Sequence, residues 1–283
     1  MTIAVTAATG QLGTLVIDAL LDRTSADQIV AIARDAVKAE PLAAKGVTVR
    51  IASYDDLTAL KDALTGVDQV LLISGSEVGK RAGQHRNVID AAIANGVSRV
   101  VYTSVLKADT STVPVVPEHL ATEQYLAGAG IDHVLLRNGW YNENYAQTLE
   151  TVRQTGSVLT SAGEGRIASA ARKDFAEAAA AVLTTVGPVK PVYELSGDVA
   201  WSQDDLASTL SDVLGTTVST TQVTPEQYAS ILVDAGLDKG TAGFVADIDV
   251  ATAKDDLAYS NGDLRDLIGR PTTPLAESLR ALV

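Results

Sequence analysis

The stretch Val5-Thr6-Ala7-Ala8-Thr9-Gly10-Gln11-Leu12-Gly13 decides how this chain folds. Apolar residues lead into it, and the helical run LVIDALL, Leu15 to Leu21, follows it. A strand, a glycine-bearing turn and a helix in that order bring several backbone N–H groups together at the positive end of the helix, a site that favours a pyrophosphate. Gly10 lets the backbone approach the phosphates, and Gly13 lets the helix pack close to the strand. Ala7 stands where a first glycine is usual. Its methyl group costs on the order of 1 kcal/mol if φ is positive and little if φ is negative, and the amides remain in either case. A tight strand–helix turn without a ligand has the same spelling, but a position at the first strand and first helix favours cofactor binding.

Working outward, apolar runs rich in Val, Ile and Leu recur at residues 2–7, 28–34, 47–52, 69–75, 99–105 and 132–138. Each reads as a short strand. Residues 13–23, 56–64, 86–96 and 118–130 lie between them with apolar positions at helical spacing, and Gly96 and Gly130 close two of those helices. Continuous apolar strands alternating with helices indicate a parallel sheet covered on both faces. The expected fold is α/β, a doubly wound parallel Rossmann sheet with a smaller, mostly helical C-terminal lobe. Residues 1–150 are assigned to the dinucleotide-binding domain, with return segments near 166–200, and 151–283 to the partly interleaved lobe. In the second half, residues 173–185 read as a helix, 191–197 as a strand and 201–215 as a helix capped by Ser202. Thr224-Pro225-Glu226-Gln227 opens another helix with a capping box, and 274–283 forms a last short one.

Composition narrows the function. The chain has 283 residues, 46% of them hydrophobic and 20% charged, so it can bury a substantial core. It has no cysteine, which removes disulfides, thiolate metal sites and cysteine nucleophiles. A net charge of -13 repels phosphate backbones, so nucleic acid is not an expected partner. No apolar run reaches membrane-spanning length and no export signal is visible, so the expected location is cytoplasmic, without membrane association. Three scattered histidines offer no metal site. Of these, His85 reads as a surface or packing residue, and His133 opens a strand.

Arg34 ends the second strand, where an NAD-specific fold places an acidic residue for the ribose 2′-OH. A guanidinium there suits a 2′-phosphate and points to NADPH; the alternative is a surface pair with Asp35. The catalytic pair Tyr-x-x-x-Lys, in which lysine lowers the pKa of a proton-donating tyrosine, is missing: none of the eight tyrosines has lysine four residues on. The corresponding helix reads His119-Leu120-Ala121-Thr122-Glu123, and Glu123 would raise a neighbour's pKa rather than lower it. Ordinary alcohol dehydrogenation is therefore disfavoured. A quinone needs less help, because reduction yields a resonance-stabilised anion and orientation supplies most of the catalysis.

The segments ATGQLG, ISGSEVGKRAGQHRNVIDAA, YTSVLKADTS, EHLATEQ, LLRNGWYNENY, GEGRIASAARKDFA and IGRPTTPLAES together resemble the bacterial flavin-free NAD(P)H:quinone oxidoreductases, in the NmrA-like group of atypical short-chain dehydrogenases. The spacing of Ala7, Gly10 and Gly13 is that of the extended short-chain enzymes. The resemblance runs nearly end to end and implies an NADPH-binding Rossmann domain with a small quinone in the cleft beside the lobe. It implies that Ala7, Ala8, Thr9, Gly10, Gln11, Leu12 and Gly13 hold the pyrophosphate and Arg34 the 2′-phosphate. Ser74, Gly75 and Ser76 would line the adenosine and ribose side. Asn138, Gly139, Trp140, Tyr141, Asn142 and Glu143 would border the nicotinamide and acceptor, and Thr103, Ser104 and Arg172 sit in segments that share the resemblance. Tyr141 and His119 are the candidate catalytic side chains. Ala7, and Ser53 where the family tends to have aspartate, depart from the pattern and should weaken the cofactor's hold. A homodimer is one assembly left open. The competing function is an NADP-sensing regulator that binds the dinucleotide and a protein partner without turnover. A third reading, reduction of an activated C=C bond, would need Lys107 as acid.

Overall fold

The computed structural model describes residues 1–283 throughout. Its first half runs β1 (Ile3–Val5), α1 (Gln11–Leu21), β2 (Ile29–Ala33), α2 (Ala36–Ala44), β3 (Thr48–Ile51), α3 (Leu57–Ala63), β4 (Gln69–Leu72), α4 (Arg81–Ala94), β5 (Arg99–Val105), α5 (Val116–Gly128) and β6 (Asp132–Asn138). After a 3-10 turn at Asn142–Tyr145 come α6 (Ala146–Thr155), β7 (Ser157–Thr160), β8 (Arg166–Ile167), α7 (Arg172–Thr184), β9 (Val192–Leu195), β10 (Trp201–Ser202) and α8 (Gln203–Leu214). The chain ends with β11 (Ser219–Gln222), α9 (Pro225–Asp234), α10 (Lys239–Thr252), α11 (Asp263–Ile268) and α12 (Leu275–Arg280).

Seven strands form one sheet in the order β3-β2-β1-β4-β5-β6-β9. Every neighbouring pair is parallel; Val5, for example, faces Ala31 on one side and Leu71 on the other. The inner strands β1, β2 and β4 are buried on both sides because helices cover both faces, whereas the edge strand β3 is largely exposed. α1 and α7 pack on one face, where Val16, Ile17 and Leu20 meet Phe175, Ala178 and Ala179. α3, α4 and α5 cover the other, around Leu60, Val88, Ile89 and Leu126. The order reverses between β1 and β4, and in such sheets the crevice beyond the carboxyl ends at that point is where ligands bind.

The remaining elements build a separate apolar cluster around Tyr145, Leu149, Trp201, Leu206, Leu210 and Leu279. Two small sheets belong to it, β7 with β11 and β8 with β10. The capping boxes read from the sequence are present, Ser202 with Asp205 at α8 and Thr224 with Gln227 at α9. α11 departs from this grouping, because it returns to the main sheet and packs on α7 and β9.

Candidate active site

A cleft of about 810 Å³ opens over the carboxyl ends of the central strands. Its floor begins at the turn after β1. Ala7 has φ +48, so its methyl does carry the left-handed penalty of about 1 kcal/mol. The Gly10 N–H donates to the Ala7 carbonyl at 2.9 Å and closes the turn. Gly10 caps α1 without a side chain, the first turn has no acidic residue, and the first helical bond in this turn is Thr14 N–H to Gly10 O. The amides of Gln11, Leu12 and Gly13 are thus left for an anion, and all three residues line the cleft. A Cβ on Gly13 would stand 2.4 Å from the Ala7 carbonyl oxygen, so only glycine allows this approach of helix to turn. Ala8, expected among the phosphate-holding residues, is not at the cleft. It is fully buried, and its N–H donates to the Ile32 carbonyl.

Arg34 reaches the cleft from the end of β2 and pairs with Glu77 at 3.3 Å, its side chain 68% exposed. It does not pair with Asp35, whose carboxylate caps α2 through the amides of Val37 and Lys38. Lys38 also lines this end and adds a second cation that sequence reasoning missed. Ser53 is at the cleft wall. Beside it the buried Tyr54 hydroxyl donates to the Ile73 carbonyl at 2.7 Å and contacts Thr6, tying the β3 end to β1 and β4 at the crevice. Ser74, Gly75 and Ser76 line the cleft, and the Ser74 N–H donates to Thr103 Oγ1 at 2.9 Å. Arg81, also unanticipated, holds this loop by donating from Nε to the Gly75 carbonyl at 2.6 Å.

At the other end, Asn138, Gly139, Trp140 and Tyr141 line the cleft. Asn138 Nδ2 donates to the Tyr141 hydroxyl oxygen at 3.2 Å, which leaves the phenolic O–H free to donate. The Tyr141 ring packs edge-on against Phe175 and carries the Arg172 guanidinium 4.9 Å from its centroid. Burial pushes the Tyr141 hydroxyl above its ordinary pKa, with Asn138 and Arg172 pulling the other way. Asn142 and Glu143 turn away from the cleft, contrary to expectation. Asn142 is fully buried and donates to Thr273 O and Ser278 Oγ, anchoring α12. The Glu143 carboxylate accepts from the Arg172 N–H and so starts α7. Both are polar residues in a loop at the sheet's carboxyl edge, and only the backbone path shows which way each points.

His119 lines the cleft from α5, its Nδ1 2.8 Å from the Tyr102 hydroxyl. Burial, reinforced by the positive charge of Arg81 and by His85, holds its pKa down to about 3, so the ring is neutral at physiological pH. Glu123, at the missing lysine's position, faces away from the cleft. It accepts from Arg137 at 2.6 and 3.0 Å and from Ser104, and the same buried guanidinium also pairs with Glu194 and with the exposed Asp109. Lys107 is also outside the cleft, with its ammonium 4.6 Å from the Tyr259 ring centroid, which removes the acid needed for C=C reduction. His85 is packed rather than at the surface. No group of three His, Asp or Glu side chains is placed to hold a metal ion.

A doubly wound sheet, an uncapped helix at its switch point and cations at the end of β2 and on α2 define a dinucleotide-binding protein of the Rossmann class. The model of the NmrA-like family matches residues 1–254, and the chain belongs to that family. It is 49% identical to quinone oxidoreductase 2 of Escherichia coli (strain K12) over 99% of this chain and 98% of that protein. The crystal structure of the NADPH-dependent quinone oxidoreductase from Escherichia coli complexed with NADPH superposes with a TM-score of 0.97, at 49% identity over 99% of both chains. The Citrobacter sp. triphenylmethane reductase complexed with NADP(H) gives a TM-score of 0.95, at 38% identity over the whole of both chains. No helix is long and apolar enough to cross a membrane.

Proposed function

We propose that this protein is an NADPH-dependent quinone oxidoreductase that passes a hydride directly to a small quinone. The observation that carries the reading is the single cleft joining the amides of Gln11 to Gly13 and the cations Arg34 and Lys38 at one end to His119 and Tyr141 at the other. The residues fit NADPH. The uncapped start of α1 suits the pyrophosphate, Arg34 and Lys38 suit the 2′-phosphate, and the loop Ser74 to Ser76 suits the ribose. Asn138, Trp140 and Tyr141 would border the nicotinamide. When bound, the dihydronicotinamide supplies the hydride.

The chain's own part is orientation and charge stabilisation. One quinone, one hydride and one proton give one hydroquinone. Negative charge develops on the quinone oxygen before the proton arrives. The Tyr141 O–H, directed by Asn138, and the ring N–H of His119 are donors suited to that oxygen. A weakly basic quinone anion takes its proton from solvent, so Glu123 in the lysine position is no handicap. Action in the cytoplasm, where NADPH is the reductant, is part of the same proposal.

The test is to mix purified protein with NADPH and a small quinone and follow NADPH consumption. Multiple turnovers support the enzyme. Tight binding of NADPH without turnover would contradict it and point to the NADP-sensing regulator instead.

A further inference from the structure

A network of hydrogen bonds runs under the cleft from the loop after β4 to His119, and the direction of each bond can be settled. The Gly75 N–H lies 3.0 Å from His85 Nε2. A backbone amide only donates, so Nε2 accepts and the proton of a neutral His85 must sit on Nδ1. The other side of the ring agrees. Nδ1 lies 2.9 Å from Thr122 Oγ1, and that hydroxyl spends its own hydrogen on the Glu118 carbonyl at 3.0 Å, so Oγ1 accepts from His85.

Tyr102 comes next. Its hydroxyl oxygen is 3.4 Å from His85 Nδ1, which already bears a hydrogen, and 2.8 Å from His119 Nδ1. The Thr122 and Ser74 hydroxyls are also near the Tyr102 hydroxyl, but the one open acceptor that meets hydrogen-bond geometry is His119 Nδ1, and the phenolic O–H goes there. A neutral His119 then carries its proton on Nε2. This nitrogen has no protein partner yet is not sealed from solvent, on a ring that lines the cleft. The network branches at His85. The Gly75 amide fixes the hydrogen on Nδ1, and that hydrogen goes to Thr122 and closes this nitrogen to Tyr102 as an acceptor. The Tyr102–His119 branch ends on an N–H open to the acceptor site.

We propose that Tyr102 and His85 are positioning residues that fix His119 as a neutral Nε2–H donor to the quinone oxygen. The inference rests on the quinone reading above. It gives His119 the role of an electrophilic hydrogen-bond donor rather than a general acid; the proton of the hydroquinone comes from solvent. The groups that face the chain are Arg81 from α4, which lines the cleft, Glu118 from α5 and the Tyr102 ring from β5. Arg81 opposes any gain of a proton on either imidazole. His85 also bonds the Gly75 amide, so one imidazole serves the cofactor loop and the donor to the acceptor together.

The experiment reads imidazole tautomers by nitrogen-15 NMR on histidine-labelled protein without cofactor or quinone, and so stands apart from turnover. We expect neutral Nδ1–H for His85 and neutral Nε2–H for His119 at pH 7. In Tyr102→Phe, His119 should become a mixture of tautomers. Its kcat should fall about tenfold or more, the scale of weakening one positioned donor, while KM for NADPH changes by less than about twofold. His119→Phe should lose at least as much, and His119→Gln, which keeps an N–H donor, should recover part of it. Wild-type His119 found as imidazolium or as the Nδ1–H form would overturn the proposal, even if the variants fail to fold. So would a folded Tyr102→Phe with unchanged tautomer and unchanged kcat.

Discussion

The Arg34 guanidinium, at the end of β2, is bonded to Glu77 at 3.3 Å, across the mouth of the cleft from the loop after β4. A carboxylate thus occupies the cation that would receive the 2′-phosphate. Replacing Arg34 by Ala removes a charge-assisted contact available to NADPH and not to NADH. At about 1.5 to 3 kcal/mol for such a bond, KM for NADPH should rise roughly tenfold or more. KM for NADH should barely move. Glu77→Gln should act in the opposite direction and lower KM for NADPH. Steady-state kinetics with both coenzymes checks this; equal effects of Arg34→Ala on the two would remove the case for the 2′-phosphate.

Ala7→Gly should relieve the left-handed penalty at φ +48. A gain of about 1 kcal/mol would raise Tm by a few degrees. Gly13→Ala should do the reverse, since its methyl would meet the Ala7 carbonyl at 2.4 Å and the Ala8 Cα at 2.8 Å. Forcing α1 away from the turn should cost about 1 to 3 kcal/mol and abolish NADPH binding. Calorimetric unfolding and an NADPH titration of the two variants read both effects.

The buried imidazoles set an acid limit. Burial, with Arg81 adding to it, lowers the His85 pKa to about 4, and His119 is held near 3. Below the unfolded value of about 6.5 the unfolded chain binds protons that the folded chain refuses. Stability therefore falls as pH drops from about 6.5 towards those folded values, by up to about 1.4 kcal/mol per pH unit for each histidine. Denaturant unfolding between pH 7 and pH 4 should show this slope, and His119→Gln should make it shallower. A variant with the wild-type slope would contradict the assignment of His119 as a buried neutral ring.

Arg137 holds Glu123 in a site where both side chains are almost fully enclosed, 7% and 6% exposed. Removing only the cation leaves an uncompensated carboxylate. Arg137→Met should cost about 3 to 5 kcal/mol, measured by denaturant unfolding. Arg137→Met combined with Glu123→Gln should recover much of that loss, because the stranded charge is gone.

Much of this was legible in the residues, and what was not has a physical cause. Continuous apolar strands betray burial on both faces, so β1, β2, β4, β5 and β6 stood out. α2 did not, because AVKAEPLAA is mostly exposed and contains Pro41. α6 and α10 were passed over although Gly156 closes α6 and the Asp238 carboxylate caps α10; neither opens with the capping box that marks α8 and α9. In the site, the turn, Arg34 and the loop after β6 were found by spelling. The error came in direction: Trp140, Tyr141 and Asn144 face the cleft, while Asn142 and Glu143 between them turn back to brace α12 and α7. Lys38 and Arg81 were missed because a helical position alone does not show that a long side chain reaches a cleft. Tyr102 reads as one more large residue in an apolar strand, and only its distances to two histidines give it a role.

The most direct measurement is the rate of NADPH oxidation by a small quinone, using NADPH deuterated on one or the other face of the dihydronicotinamide ring. We expect one hydroquinone per NADPH consumed and a primary isotope effect from a single face, since one fixed cleft presents one face to the acceptor. Coenzyme that binds but is not consumed, or consumption with no isotope effect from either face in single-turnover experiments, would contradict direct hydride transfer in this cleft.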